Sequence, residues 1–149
     1  MNKITDKPRI FSIGHSNREL GEFVSILKNY GIEVLADIRS YPRSRRNPHF
    51  DREHLERELE AKGIEYIWLG GLGGMRESGY EEYMKTAEFE EGLHTLISIA
   101  GEKKTVLMCA ELDWRSCHRS FVSGALHKLR WEVVHIYDKG ESETHSSLF

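Results

Sequence analysis

The sequence has few of the residues that characterise disulfide-rich, proline-rich or membrane-spanning proteins. Its 149 residues include two cysteines and three prolines, too few for a disulfide framework or a proline-rich linker. In a reducing compartment the two cysteines are expected to be thiols. No run approaches the roughly 18 apolar residues of a membrane-spanning helix, and the first ten residues, MNKITDKPRI, lack the apolar core of a signal peptide. We therefore expect a cytoplasmic protein that makes no membrane contact.

Charge of one sign is not in excess either. The 21 lysines and arginines nearly balance 24 aspartates and glutamates, which gives a formal net charge of −3. The surface as a whole would not attract a polyanion, so contact with nucleic acid would need a local cluster of cations. The chain has no internal repeat, low-complexity tract or linker. Its length suffices for a packed core, and we predict one domain over residues 1–149.

Short apolar segments alternate with amphipathic segments, which indicates an α/β fold. The predicted strands are residues 9–14, 33–38, 64–70, 105–110 and 132–137. The predicted helices are a first one that follows a capping box at Ser16–Glu19 and ends at Gly31, a second around Leu55 and Leu59, a third over 81–100 and a fourth over 116–129. We predict a mainly parallel, five-stranded sheet flanked by helices, a Rossmann-like arrangement whose strand order the sequence does not define.

In sheets of this kind, ligands bind at the carboxyl ends of the strands. The segments that follow the predicted strands are polar: GHSN, RSYPRSRRNPHF, GGLGG, ELDWRSCHR and DKGESETH. The second of them carries Arg39, Arg43, Arg45 and Arg46, with few carboxylates nearby in the sequence. The pattern predicts an electropositive pocket at this edge for an anionic ligand that resembles a phosphate or a nucleotide.

The segment CAELDWRSCHR (109–119) contains both cysteines, and several interpretations of it stay open. Cys109 and Arg115 have the spacing of a phosphatase loop, but the two acids between them would repel a phosphate. An N-cap at Ser116 would place Cys117 at a helix N-terminus, where the helix dipole favours an anion and lowers the thiol pKa.

Other interpretations of the same segment concern its remaining side chains. Cys109 can be a buried core residue, as free cysteines often are. Cys109 and Cys117 could also bind zinc with His118 and His15, although their spacing matches no common zinc motif. Glu111 is either an ion-pair partner of the arginines or a general base.

The favoured hypothesis is an enzyme or ligand-binding protein with this anion pocket, and the sequence does not decide between the two. The candidate catalytic residues are His15, Glu111, Cys117 and His118, with Glu111 or Asp37 orienting the histidine. The candidate ligand-binding residues are Ser16, Arg39, Arg43, Arg46 and Arg119.

Two alternatives stand beside this hypothesis. In the first, the protein is a nucleic-acid-binding module in which Tyr41, Phe50 and Trp114 stack on bases. In the second, cysteine and histidine residues form a metal-dependent site. The sequence identifies no cofactor and no oligomeric state.

Four motifs carry a resemblance to a known family: SIGHSN (12–17), DIRSYPRSRRNPHF (37–50), YMKTAEFEEGL (83–93) and CAELDWRSCHR (109–119). They resemble the bacterial and archaeal domain-of-unknown-function family 488, and the resemblance extends from Ile10 to His145. It implies a shared site and no particular activity. The matching positions are Gly14, His15, Ser16, Asp37, Arg39, Pro42, Arg43, Arg46, Cys109, Glu111, Cys117, His118 and Arg119.

The sequence also departs from the family pattern. The resemblance implies that the segment GGLGGMRESGY (70–80) is shorter than usual and that Gly124 stands where an acidic residue is expected. It also implies that Arg115 is not a fixed feature of the family. This last departure weakens the phosphatase interpretation.

Overall fold

A computed structural model describes residues 7–74 and 79–146, so positions 75–78 of the glycine-rich segment lie outside it. The strands are β1 (Arg9–Gly14), β2 (Val34–Asp37), β3 (Glu65–Trp68), β4 (Thr105–Cys109), β5 (Glu132–Asp138) and β6 (Glu141–Thr144). The α-helices are α1 (Leu20–Asn29), α2 (Arg52–Ala61), α3 (Tyr80–Tyr83), α4 (Ala87–Ala100) and α5 (Arg119–Lys128). Short 3-10 helices cover Pro48–Phe50, Gly70–Leu72 and Trp114–Ser116. Within the described residues no helix is both long and apolar enough to cross a membrane.

The strands form one six-stranded mixed sheet in the order β3-β2-β4-β1-β5-β6. Strands β1 to β5 all run parallel to one another, and β6 runs antiparallel to β5. The predicted α/β class is confirmed, but the predicted count of five strands is wrong. The sequence DKGESETH turns back and adds β6 at an edge of the sheet. This strand was missed because it is polar along its whole length and largely exposed, so it has no apolar periodicity.

Three neighbouring strands, β2, β4 and β1, form the centre of the sheet. All five residues of β4 are buried, as the continuous apolar sequence TVLMC predicts for a strand covered on both faces. One hydrophobic core contains Phe23, Leu27 and Phe50, and a second contains Leu93 and Leu126. Because these strands are parallel and in register, their carboxyl ends meet at one edge of the sheet, where Gly14 pairs with Cys109 and Asp37 with Met108.

Helix boundaries differ from the predictions at the N-terminal ends. Ser16 has a left-handed backbone (φ 52°) and α1 begins at Leu20 with Glu19 as its N-cap, so the predicted capping box does not form. The predicted helix over 81–100 is two helices, because Thr86 accepts a hydrogen bond from the Phe89 N–H and starts a new one.

The predicted N-cap at Ser116 is also wrong. Asp113 accepts the Arg115 N–H and caps a separate 3-10 turn that ends at Ser116. Cys117 is extended, with φ −141°, and α5 begins at Arg119 with His118 as its N-cap. Cys117 therefore lies just before the first turn of α5.

Candidate functional site

A cavity of about 710 Å³ lies at the carboxyl edge of the sheet, between the segments that follow β2 and β4. It is lined by Arg39, Ser40, Tyr41, Arg43, Gly74, Tyr80, Cys109, Ala110, Glu111, Arg115, Ser116, Cys117, His118, Ser120 and Phe121. We refer to it below as the thiol cavity. A larger cavity of about 960 Å³ lies at the opposite edge, at the amino ends of the strands, and holds none of the predicted site residues.

The predicted site residues divide into two groups. Five of them line the thiol cavity: Arg39, Arg43, Glu111, Cys117 and His118. The other four lie outside its lining: His15, Ser16, Arg46 and Arg119. The residues outside the lining are not alike in burial, since His15 and Arg119 lie in the protein interior while Arg46 is exposed.

Arg39 is only 5% exposed and forms a buried, bidentate ion pair with Asp37. Its Nη2 and Nε donate to the two carboxylate oxygens at 2.8 and 2.9 Å, and Nη2 also donates to the Phe50 carbonyl. Tyr66 donates its hydroxyl to Asp37 Oδ2 at 2.5 Å, and burial together with this carboxylate raises the pKa of Tyr66. The charge of Arg39 is therefore balanced inside the protein before any ligand arrives.

His15 is 2% exposed and stacks on Phe50 with ring centroids 4.4 Å apart. Its Nδ1 lies 2.8 Å from the Ser16 carbonyl oxygen, which can only accept, so Nδ1 carries the proton. Its Nε2 lies 3.4 Å from Arg39 Nη1. Burial lowers the pKa of His15 to about 4, so the ring is neutral at pH 7. The neutral His15 ring therefore packs between Phe50 and the Arg39 guanidinium and helps to hold this guanidinium in place.

The two thiols of the protein meet in the wall of the cavity. Cys109 Sγ and Cys117 Sγ are 2.7 Å apart, and the Arg119 N–H donates to Cys117 Sγ at 3.4 Å. The hydrogen bond from Cys109 and the charge of Arg119 lower the pKa of Cys117 to about 6 despite its partial burial. Burial raises the pKa of Cys109. At neutral pH the pair is therefore one thiolate, on Cys117, and one thiol, on Cys109.

Arg119 is a buried cation, 1% exposed, whose guanidinium bonds neutral groups. It donates to the carbonyl oxygens of Glu111 and Leu112 at 2.8 and 3.1 Å and to Ser12 Oγ at 3.2 Å. Among residues 7–74 and 79–146 no carboxylate forms an ion pair with it. A buried charge needs a compensating charge, and the Cys117 thiolate supplies one. Arg119 thus stabilises the Cys117 thiolate and does not line the cavity.

His118 and Glu111 line the cavity in different ways. His118 Nε2 donates to the Ile38 carbonyl at 2.9 Å, which ties the start of α5 to the end of β2, and its ring packs on Tyr80. Glu111 uses its backbone carbonyl to hold Arg119, while its exposed carboxylate makes no ion pair within the described part of the chain. The expected arginine–glutamate pair is instead formed by Arg115 with Glu143, at 2.8 Å.

The two alternative hypotheses gain no support from the geometry. The described residues contain no group of three or more His, Cys, Asp or Glu side chains placed to hold a metal ion, so the four predicted zinc ligands are not assembled. Of the three aromatic residues predicted to stack on bases, Phe50 and Trp114 are buried and only Tyr41 is exposed. Trp114 stacks on His135 inside the protein, with centroids 4.3 Å apart.

Sequence reasoning missed several residues that build the site. Tyr80 and Phe121 form an aromatic wall of the cavity, with ring centroids 5.2 Å apart. Ser12 binds the Arg119 guanidinium from the middle of β1. A single serine in an otherwise apolar buried strand is a signal that could have identified it, because a buried hydroxyl needs a partner.

Fold and site together define an α/β protein whose largely parallel sheet carries a paired-thiol cavity at the carboxyl ends of its strands. The family model described as Domain of unknown function DUF488 matches residues 19–126, more than half of the chain. The chain therefore belongs to this family, as its motifs indicated. The match includes both cysteines and the arginine-rich segment, and it begins after His15 and Ser16. Comparison with curated proteins and with solved structures gave no match.

Proposed function

We propose that the thiol cavity binds a small ligand with an anionic group and presents it to Cys117, which acts as a nucleophile. The observation that carries this proposal is the position of the Cys117 thiolate. It lies in the cavity wall, accepts the Arg119 N–H at 3.4 Å, and neighbours a buried guanidinium that has no carboxylate partner among the described residues. A thiolate held in this way is the reactive form of cysteine.

The side chains around the thiolate favour a ligand with both an apolar and an anionic part. Tyr41, Tyr80 and Phe121 supply aromatic surface. Arg39 and Arg115 line the cavity, but Asp37 and Glu143 already balance their charges. Arg43 is exposed and forms no ion pair with a described residue, which makes it the cation that a ligand would meet.

Two alkylating reagents of similar size and opposite electrostatics test the proposal. Iodoacetate is anionic and iodoacetamide is neutral, and both react with thiolates. We expect the ratio of the iodoacetate rate to the iodoacetamide rate to be about two- to fivefold higher for Cys117 than for 2-mercaptoethanol, the effect of one partly solvated charge. Peptide mass analysis locates the modified cysteine.

Substitution of single arginines identifies the cation responsible. Arg43→Gln should bring the ratio down to that of 2-mercaptoethanol. Arg45→Gln is the matched control, because this arginine is exposed in the same segment but does not line the cavity. An unchanged ratio in Arg43→Gln, or a wild-type ratio no higher than that of the free thiol, would refute anion binding.

A thermal-shift screen then identifies the ligand class. Inorganic phosphate, sulfate, mononucleotides and short oligonucleotides are tested at low and moderate salt. Stabilisation by one small anion that is lost in Arg43→Gln supports the proposal. Stabilisation by oligonucleotides alone that disappears at moderate salt would favour the nucleic-acid-binding alternative instead.

A further inference from the structure

The segment between the two cysteines is built so that the thiols meet. Cys109 ends the central strand β4 and is 1% exposed, while Cys117 lies eight residues later in the wall of the cavity. The Cys109 carbonyl accepts the His15 N–H at 2.9 Å, which fixes the first end of the segment. Trp114, buried against His135, fixes its middle. The sulfurs are 2.7 Å apart, against about 2.05 Å in a disulfide, so little movement separates contact from a bond.

The two thiols are unequal in access and in charge. Cys117 is half-buried and faces the cavity as a thiolate, while Cys109 is buried beneath it as a thiol. Cysteine pairs that exchange disulfides have this division, with one accessible attacking thiolate and one shielded resolving thiol.

We propose that Cys109 and Cys117 are a thiol–disulfide redox couple that exchanges with low-molecular-weight disulfides entering the thiol cavity. The Cys117 thiolate attacks one sulfur of the external disulfide, forms a mixed disulfide and releases the first thiolate. Cys109 then loses its proton and attacks Cys117 Sγ, which closes the internal disulfide and releases the second thiolate. The two cysteines lose two electrons, and the external disulfide gains them and leaves as two thiols.

The position of Arg119 makes this couple reversible. In the reduced protein the Cys117 thiolate balances the buried guanidinium, and the Arg119 N–H bonds the same sulfur. Closure of the disulfide removes that negative charge and leaves the buried Arg119 guanidinium without this countercharge. Stabilisation of the reduced form makes a disulfide a stronger oxidant, as in redox-active pairs and unlike in structural ones.

The inference goes beyond the proposed function, since it requires no anionic ligand. The experiment therefore uses a neutral probe, bis(2-hydroxyethyl) disulfide, added to the full chain. Samples are quenched with acid, alkylated and analysed by intact and peptide mass. We expect the wild-type protein to lose two thiols without a lasting adduct and to yield a peptide in which Cys109 is linked to Cys117. Reaction with dithiothreitol should restore both thiols.

Single-cysteine variants assign the two roles. Cys109→Ser should accumulate the mixed disulfide on Cys117, because the resolving thiol is gone. In Cys117→Ser, Cys109 should form an adduct at least tenfold more slowly than Cys117 does in Cys109→Ser. A lasting adduct on wild-type Cys117, or equal adduct rates in the two variants, would overturn the proposal. Circular dichroism shows whether each variant is folded, and should Cys109→Ser not fold, the transient adduct is sought in a wild-type time course.

Failure of this proposal is distinguishable from failure of the proposed function. Folded Cys109→Ser retains Cys117 and Arg43, so it should keep the preference for iodoacetate while it loses disulfide closure. A wild-type protein that closes the disulfide with the neutral probe but shows no preference for iodoacetate would refute the proposed function and leave the redox couple supported.

Discussion

A Cβ atom on Gly14 would lie 1.7 Å from the carbonyl oxygen of Glu111. The segment after β4 thus passes directly over the end of β1, and only a residue without a side chain leaves room for it. The same carbonyl oxygen accepts a hydrogen bond from Arg119 at 2.8 Å. Gly14 therefore permits the close packing that brings the buried guanidinium toward the paired thiols.

Gly14→Ala should be strongly destabilising. The obstructing atoms belong to the backbone, so relief of the clash must move residues 110–112 and loosen the Arg119 hydrogen bonds. We expect a loss of about 2–4 kcal/mol of unfolding free energy, measured by urea denaturation. Gly124→Ala is the matched control: it lies within α5 with open space around its Cβ position and should be neutral or stabilising. Equal stability of Gly14→Ala and wild type would contradict the close approach.

The Asp37–Arg39 pair predicts unequal effects for two conservative substitutions. Asp37→Asn leaves the Arg39 guanidinium buried without a countercharge and should cost about 3–5 kcal/mol. Tyr66→Phe removes one hydroxyl donor from the same carboxylate and should cost about 1.5–3 kcal/mol, less than the loss of the charge itself. Urea denaturation of both variants gives the comparison. Similar losses would mean that Asp37 does not compensate the charge of Arg39.

The strand pattern could be predicted from the sequence because each central strand is a short apolar segment bounded by polar residues. From this pattern the convergence of the strand-end residues also followed, and His15 does contact Arg39. The edge strand β6 could not be predicted, because Glu141–Thr144 contains no apolar residue to pack against the core. This polar edge strand forms through backbone pairing with β5, and backbone pairing does not depend on a characteristic residue composition.

The groups that each arginine side chain bonds could not be predicted from the sequence either. Arg39 and Arg119 were predicted to hold a ligand, yet both bond groups of the protein itself. The sequence shows where positive charge is present, but pairing depends on which carboxylates and carbonyls the fold brings near. Arg43 has the same local composition around it and remains unpaired with any described residue, a difference that only three-dimensional placement produces.

Burial of histidine predicts a loss of stability in acid. Burial lowers the pKa of His15 to about 4 from 6.5, so below pH 6.5 the unfolded chain binds a proton that the folded chain does not. The free energy of unfolding therefore falls as the pH falls from about 7 to 4, by about 2–3 kcal/mol from this residue. Urea denaturation across that range should show a shallower slope for His15→Gln than for wild type.

A matched variant separates this effect from that of other groups. His54→Gln removes an exposed histidine on α2 and should retain the wild-type slope. His135 and His145 are also buried with lowered pKa values and contribute in the same direction, so some acid sensitivity should persist in His15→Gln. An unchanged slope in His15→Gln would show that His15 is protonated equally in both states.

The charge of Arg119 predicts the pH dependence of the Cys117 thiol. Alkylation by neutral iodoacetamide reports the thiolate fraction, and in wild type its rate should be half-maximal near pH 6, the pKa of Cys117. Arg119→Met removes the positive charge but keeps a long apolar side chain, so the midpoint should move upward. Arg57→Met, on the exposed face of α2, should leave it in place.

The larger cause of the low Cys117 pKa is the hydrogen bond from Cys109 Sγ. Cys109→Ala removes this donor while Arg119 stays in place, so its midpoint should also move upward. The Arg119 guanidinium anchors Glu111 and Leu112, and Arg119→Met is therefore compared by circular dichroism before its reactivity is interpreted. If folded Arg119→Met and Cys109→Ala both kept the wild-type midpoint, neither the buried cation nor the second thiol would be stabilising the thiolate.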